Sequence, residues 1–458
     1  MSKKISLKEK LGYGVGAVGL DLSYGLFYSY LSKYLTDVVG ISVVFMLILA
    51  PLARIWDGIN DPMMGTIVDR TRTRMGKYRP WILVGAILNA AVLCCLFNNP
   101  GLSSTSVGMY VYVAIFYVLW GMTNTLADIP FWSRVPSFSS EEKERNSVST
   151  IARIFSGLGQ GIIGVLTVPL IKALGDGTAT NAQGYGRWAI ICAVFLIVFA
   201  LISVVSSKER VNLPPANGKF SLKESLRIIK SNDQLLVFML FAMISNAGYY
   251  MTSGISLYYF DNVCSNSSLQ STFFIFGAAG SVLGLGVIPL CSNIFKMNNR
   301  KTYIVSLLMA AFGYIAMFIS GTATNHNIIA IGICYLIAST GIASMFVNQT
   351  VMLADVVDYG EYHTGQRNES LTFSMKGFLQ KMAYTLQSII MYGTFAVTKY
   401  NVVNGTANPA TLKSISFMMY AIPPVFILIS CLIFVKKYKI HGDFKTEVLN
   451  KVTQMHEE

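Results

Sequence analysis

Runs of apolar residues long enough to cross a lipid bilayer follow one another from Leu11 to Val435, and no water-soluble fold has room for them. They lie near residues 11–37, 41–68, 81–98, 109–133, 148–172 and 188–206, and resume near 234–260, 270–294, 302–321, 327–353, 371–398 and 415–435. A helix rising 1.5 Å per residue needs roughly 20 such residues to span the hydrocarbon. Backbone polar groups in lipid must be satisfied within the segment, so these runs are expected as helices. The reading is an all-α membrane protein with twelve transmembrane helices. Composition agrees, with 53% hydrophobic and only 13% charged residues and a mean hydropathy of +0.52.

The formal net charge of +13 would suit nucleic acid if it lay on one soluble face, but it does not. Lys and Arg fall in alternate loops: Lys3 to Lys10, Arg70 to Arg79, Lys143 and Arg145, Lys208 to Lys230, Lys296 to Lys301, Arg367, and Lys436 to Lys451. The loops between them, such as Asn98 to Gly108 and Asp261 to Ser268, carry none. The positive-inside rule then places both termini in the cytoplasm of a multi-pass plasma (inner) membrane protein, with no nucleic-acid partner. Met1 to Lys10 is basic but lacks the compact apolar core and cleavage site of a signal peptide. Seven cysteines, Cys94, Cys95, Cys192, Cys264, Cys291, Cys334 and Cys431, show no paired metal spacing and read as packing residues.

Ser207 to Asp233, with Pro214, Pro215 and Gly218, divides the runs into six and six, with an interfacial helix expected over Leu222 to Lys230. The expected organisation is an N-terminal half at 1–206, a cytoplasmic middle loop at 207–233, a C-terminal half at 234–435 and a cytoplasmic tail at 436–458. The halves echo each other: Asn298-Asn299-Arg300-Lys301 answers Arg70 to Arg79, and Arg367-Asn368-Glu369-Ser370 answers Arg145-Asn146-Ser147. Parallel six-helix halves of this kind suggest a major facilitator fold.

A charge at mid-bilayer is unfavourable by roughly 2.5 to 3.5 kcal/mol, so charges kept inside spans face something polar. Here they are Asp21, Arg54, Asp57, Asp61, Asp128, Arg153, Lys376 and Lys381. Asp57, Asn60 and Asp61 have the spacing i, i+3, i+4, which puts three oxygen-bearing side chains on one helix face within reach of one ion. Two carboxylates sharing a site repel unless a proton or a hard cation lies between them. The competing reading is that one of these acids simply pairs with Arg54. In the fourth span Thr125, Asp128 and Trp132 share a stripe, an acid beside an indole, which suits the hydroxyl rim and C–H face of a sugar. Arg153 can pair with Asp21 or Asp128, and Lys381 is a positive group of the second half able to stand in for a cation.

These residues sit within longer motifs: Tyr34 to Gly40, Ala53 to Pro62, Met75 to Trp81, Trp120 to Trp132, and Ala354 to Glu361 with Arg367 and Glu369-Ser370. On them the chain resembles the glycoside-pentoside-hexuronide:cation symporter family, over nearly its whole length. The resemblance implies that Asp57, Asn60, Asp61 and Thr125 form a cation site, for sodium, lithium or a proton, and that Asp21, Asp128, Trp132 and Arg153 form a sugar site, with Lys381 between the two. Leu20 stands where the family has a lysine, Asn124 replaces a tyrosine at the sugar site, and Phe346 replaces a tryptophan. It also implies a latch role for the acidic loop Asp355 to Glu361.

The expected function is cation-coupled symport of a sugar or glycoside by alternating access, in a functional monomer without cofactor. Retention of both carboxylates with Arg153 favours a neutral α-galactoside such as melibiose over an anionic glucuronide. A lysolipid transporter of the same fold is the alternative, and another glycoside, pentoside or hexuronide is the alternative cargo. An enzyme is not expected, because no metal cluster, nucleophile elbow or phosphate loop is legible.

Overall fold

The computed structural model describes residues 5–139, 141–211, 231–365, 369–400 and 407–457. Among the described residues the regular elements are helices. They are α1 (Leu7–Lys33), α2 (Val43–Arg70), α3 (Arg79–Leu96), α4 (Val107–Ser133), α5 (Glu142–Leu174) and α6 (Ala182–Ser206). After the middle segment come α7 (Asp233–Tyr258), α8 (Leu269–Pro289), α9 (Asn299–Ala323), α10 (Ile328–Thr364), α11 (Glu369–Val397), α12 (Pro409–Tyr420), α13 (Ile422–Lys437) and α14 (Gly442–Glu457). The expected interfacial helix at 222–230, Arg367 and Asn368 lie outside the described residues.

Helix starts follow capping chemistry. Ser6, Ser42, Ser106, Asn181, Asn232, Asn298, Asn327 and Asn408 each accept a backbone N–H of the first turn, where the orphaned donors would otherwise need water. At α1 the bond is reciprocal, Ser6 and Glu9 forming a capping box. Among the described residues, 10 helices are long and apolar enough to cross a membrane. α1 and α11 have the length, 27 and 29 residues, with more polar residues along them. Val44, Ile48, Leu52 and Ile55 form one stripe of α2 and are each more than half exposed, at 51%, 57%, 58% and 57%. Such a stripe requires an apolar solvent.

The chain divides into two compact units, Met1–Lys219 and Phe220–Glu458. In the first, α1 packs on α5 and α6, α3 on α4 and α6, and α2 on α4. In the second, α7 packs on α11 and α13, α9 on α10 and α13, and α8 on α10. With the sixth span of each half matched, the two lists are the same list. Close approach is set by glycine: a Cβ on Gly85 would lie 2.5 Å from the Ala127 backbone N, and one on Gly313 would lie 2.4 Å from that of Ala338. These are equivalent contacts, α3 on α4 and α9 on α10.

One expectation needs correction. The acidic stretch Asp355 to Glu361 is no loop, because α10 runs unbroken to Thr364 and stops only at Gly365, which has φ +67. It continues past its apolar stretch because α14 supplies polar partners. Lys445 Nζ lies 2.6 Å from Asp355 Oδ2, the Tyr362 hydroxyl donates to Glu447 Oε1 at 3.0 Å, and Val448 and Val452 are buried. The last expected span, 415–435, lies within one apolar stretch, Pro409–Lys437, built of two helices. It breaks at Ala421 between α12 and α13, where Pro423 and Pro424 remove two backbone donors.

Leucine at position 85 would drive a side chain into backbone, beyond the 1–3 kcal/mol of ordinary overpacking. Gly85→Leu is expected to lower the melting temperature in detergent sharply, whereas Gly286→Leu, where a Cβ meets nothing within 4 Å, leaves it near wild type. Equal melting temperatures would contradict the α3–α4 contact.

Candidate functional site

Asp57, Asn60 and Asp61 do share a face of α2, but the structure gives the two acids different partners. Arg54 Nη1 lies 2.7 Å from Asp57 Oδ2, with the two side chains 3% and 2% exposed. The reading in which one acid of the cluster pairs with Arg54 therefore holds for Asp57. The same nitrogen donates to the Tyr28 hydroxyl, and the guanidinium sits 5.7, 5.2 and 5.8 Å from the ring centroids of Phe27, Tyr28 and Tyr117. This aromatic box stabilises a cation with few water partners. α4 leaves room for the carboxylate, since a Cβ on Gly121 would lie 2.6 Å from Asp57 Oδ1.

Asp61, one turn further, accepts a hydrogen bond from Thr125 Oγ1 of α4 at 2.8 Å. Asn60 is half-buried between them in sequence, and its Nδ2 is buried with no hydrogen-bond partner among the described residues. An amide whose nitrogen finds no acceptor is better placed with its carbonyl oxygen turned the same way, and that oxygen suits a cation. Asp61, Thr125 and Asn60 thus supply a carboxylate, a hydroxyl and a carbonyl oxygen, next to an Asp57 already compensated by Arg54. One net negative charge remains, which suits a monovalent cation or a proton.

The second group lies further along α4. Trp132 Nε1 donates to Asp128 Oδ1 at 3.0 Å, the i, i+4 geometry expected on one stripe. Arg153 of α5 lies over the same indole, with its guanidinium carbon 3.8 Å from the ring centroid. Asp21 of α1 accepts from Gln160 Nε2 of α5 at 2.7 Å. Asn124 is half-buried on α4 beside Thr125. Lys381 belongs to the second unit, half-buried on α11, with Thr385 Oγ1 donating to its carbonyl at 2.9 Å.

A buried network holds α4 in register. Ser23 donates to Asn89 Oδ1 at 2.6 Å, and Asn89 Nδ2 donates to the Trp120 carbonyl at 3.2 Å and to Thr123 Oγ1 at 3.0 Å. Trp120 in turn donates to Ser23 at 3.2 Å and stacks on Phe27 at 3.6 Å. These contacts fix the rotation of α4, and hence the direction of Thr125, Asp128 and Trp132. Asn89 and Gln160 escaped the sequence reading, and Trp120 entered it only as the first residue of the α4 motif. Only the polar residue amid apolar neighbours at 89 signalled anything.

Removing one partner of a buried ion pair is typically destabilising by about 3–5 kcal/mol, more than removing both. Arg54→Leu should therefore lower the melting temperature in detergent, and Arg54→Leu/Asp57→Leu should regain most of the loss. A double variant no more stable than the single one would show that the pair is not what holds Arg54.

Residues 12–442 match the MFS/sugar transport protein family. The isoprimeverose transporter of Lactiplantibacillus pentosus is 29% identical over 449 residues, 97% of this chain and 92% of that protein. The putative glycoside/cation symporter YagG of Escherichia coli (strain K12) is 25% identical over 452 residues, 98% of this chain and 95% of that one. A solved D-xylose-proton symporter superposes with a TM-score of 0.66 at 13% identity, covering 94% of this chain and 97% of that one, a likeness of fold. The repeated packing of two helical units is that of the major facilitator fold. This chain is a membrane transporter and not an enzyme, and it belongs to the MFS/sugar transport protein family, the glycoside-pentoside-hexuronide:cation symporters.

Proposed function

We propose that this chain couples the downhill movement of one monovalent cation, sodium in the first place, to uptake of a neutral glycoside by alternating access in the plasma (inner) membrane, with both termini cytoplasmic and the monomer as the working unit. The cation is held by Asp61, Asn60 and Thr125 with Asp57 beside them. The sugar is held by Asp21, Asn124, Asp128, Trp132 and Arg153, to which the family resemblance adds Lys381. An α-galactoside such as melibiose is the cargo this set fits best, because an anionic sugar would meet Asp21 and Asp128. The naming of relatives as an isoprimeverose transporter and a glycoside/cation symporter supports the same class of cargo.

One observation carries this reading: both groups of residues hang on α4. Thr125 binds Asp61, and Asp128 binds Trp132 beneath Arg153. Thr125 and Asp128 are three residues apart, so about 4.5 Å of rigid helix axis joins the two sites. A cation that pulls on Thr125 shifts the groups facing the sugar. Coupling of this kind is reciprocal, each ligand raising the affinity for the other by the same factor.

The test is accumulation of radiolabelled melibiose in right-side-out vesicles, with and without an inward sodium gradient. Wild type should accumulate sugar only with the gradient, and Asp61→Cys should lose that accumulation. Normal accumulation by Asp61→Cys would remove Asp61 from the cation site, and amphiphile uptake that free sugars do not inhibit would favour the lysolipid reading. Thr125→Ala removes one hydrogen bond, worth about 0.5–1.5 kcal/mol, and should raise the sodium concentration for half-maximal uptake by roughly two- to tenfold.

A further inference from the structure

α5 carries Arg153, Gly157 and Gln160 at positions i, i+4 and i+7, one stripe of the helix. Arg153 is tied to the indole of Trp132, and Gln160, exposed, donates to Asp21. Between them a Cβ on Gly157 would meet nothing within 4 Å, so the stripe opens onto space. On the neighbouring face the packing is tight: a Cβ on Gly159 would lie 2.9 Å from Asp21 Cβ and 3.0 Å from the Val18 carbonyl oxygen. α5 therefore closes on α1 at that level, and the reach of Gln160 to Asp21 is set by two helix backbones rather than by a loop.

The chemistry of the pair is specific. A primary amide has two N–H donors and a carbonyl acceptor, and only one of its donors is accounted for by Asp21. The Asp21 carboxylate also accepts from the Ser156 hydroxyl of α5, so the second N–H and the carbonyl oxygen of Gln160, beside a carboxylate held from two sides, form a fork with a donor and acceptors side by side. Each sugar hydroxyl is donor and acceptor at once, so adjacent hydroxyls match such a fork. The residue before Asp21 is the apolar Leu20, which brings no cation to the carboxylate. Seven residues of helix separate Arg153 from Gln160 by about 10 Å, longer than one pyranose ring and suited to two joined rings.

We propose that Gln160 is a specificity-determining residue of the sugar site: with Asp21 it forms an amide–carboxylate fork that reads adjacent hydroxyls on the ring not seated against Trp132. This rests on the sugar site assigned above and deepens it, since it commits the cargo to a two-ring glycoside. Gln160 acts on the sugar directly and through Asp21, whose carboxylate it orients.

The experiment is competition against radiolabelled melibiose uptake by melibiose and its singly deoxygenated analogues, in vesicles holding wild type, Gln160→Leu or Gln160→Asn. In wild type, removing a hydroxyl read by the fork raises the inhibition constant about tenfold. In Gln160→Leu that discrimination shrinks to within about twofold at those positions while the penalties elsewhere persist. Gln160→Asn, which keeps the amide but is one methylene short, loses discrimination at the same positions. Undiminished discrimination in both variants, or a uniform weakening across every analogue, overturns the assignment and leaves the transport reading standing. Wild-type vesicles that accumulate no melibiose instead overturn the α-galactoside reading, and this proposal with it, before any variant is measured.

Discussion

The buried pair of Arg54 and Asp57 is the contact from which the polar interior of the first unit is built. Neither charge could enter an apolar helix packing alone, and each is admitted by the other, one turn away at 2.7 Å. The guanidinium then needs its ring box from Phe27, Tyr28 and Tyr117, which draws α1 and α4 around α2. The carboxylate needs the gap that Gly121 leaves, which sets the height of α4 against α2. Once those heights are set, Asp61 meets Thr125 on the next turn. The order of dependence runs from a charge requirement to a helix register, and from the register to a site.

The two units use one packing scheme and fill it differently. In the first, acids and an arginine stand at the centre. In the second, an uncharged cluster is buried between helices: Gln349 Nε2 donates to Ser245, Asn246 and the Tyr303 hydroxyl at 3.3, 3.2 and 3.2 Å. A neutral hydrogen-bonded cluster of this sort rigidifies a bundle without inviting an ion. The difference between the units is therefore chemical rather than architectural.

What could be read from the chain alone followed the range of the interactions. Apolar runs and their Ser or Asn caps are local, and the helices begin close to where those patterns place them. Pairs three or four residues apart were also legible, as with Arg54 and Asp57 or Asp128 and Trp132. Partners on different helices have no local signal: the family resemblance alone grouped Asp61 with Thr125, and nothing pointed from Asp21 to Gln160. The extension of α10 to Thr364 was hidden for a related reason: hydropathy ends near residue 353, and what sustains the helix afterwards is α14, almost a hundred residues later.

α1 and α7 occupy equivalent places in the two units, and each ends in a wide π-helical turn, Tyr34–Val39 in one and Tyr259–Val263 in the other. Such a turn arises when one extra residue is inserted into a regular helix, and it is rare because the helix is locally weakened. A third such turn, Leu290–Ile294, follows α8 without a counterpart at the end of α2, so the match is particular to the first helix of each unit. At both places regular hydrogen bonding is given up just where the chain leaves the helix, so the far ends of α1 and α7 are the points at which each unit's first helix yields most easily.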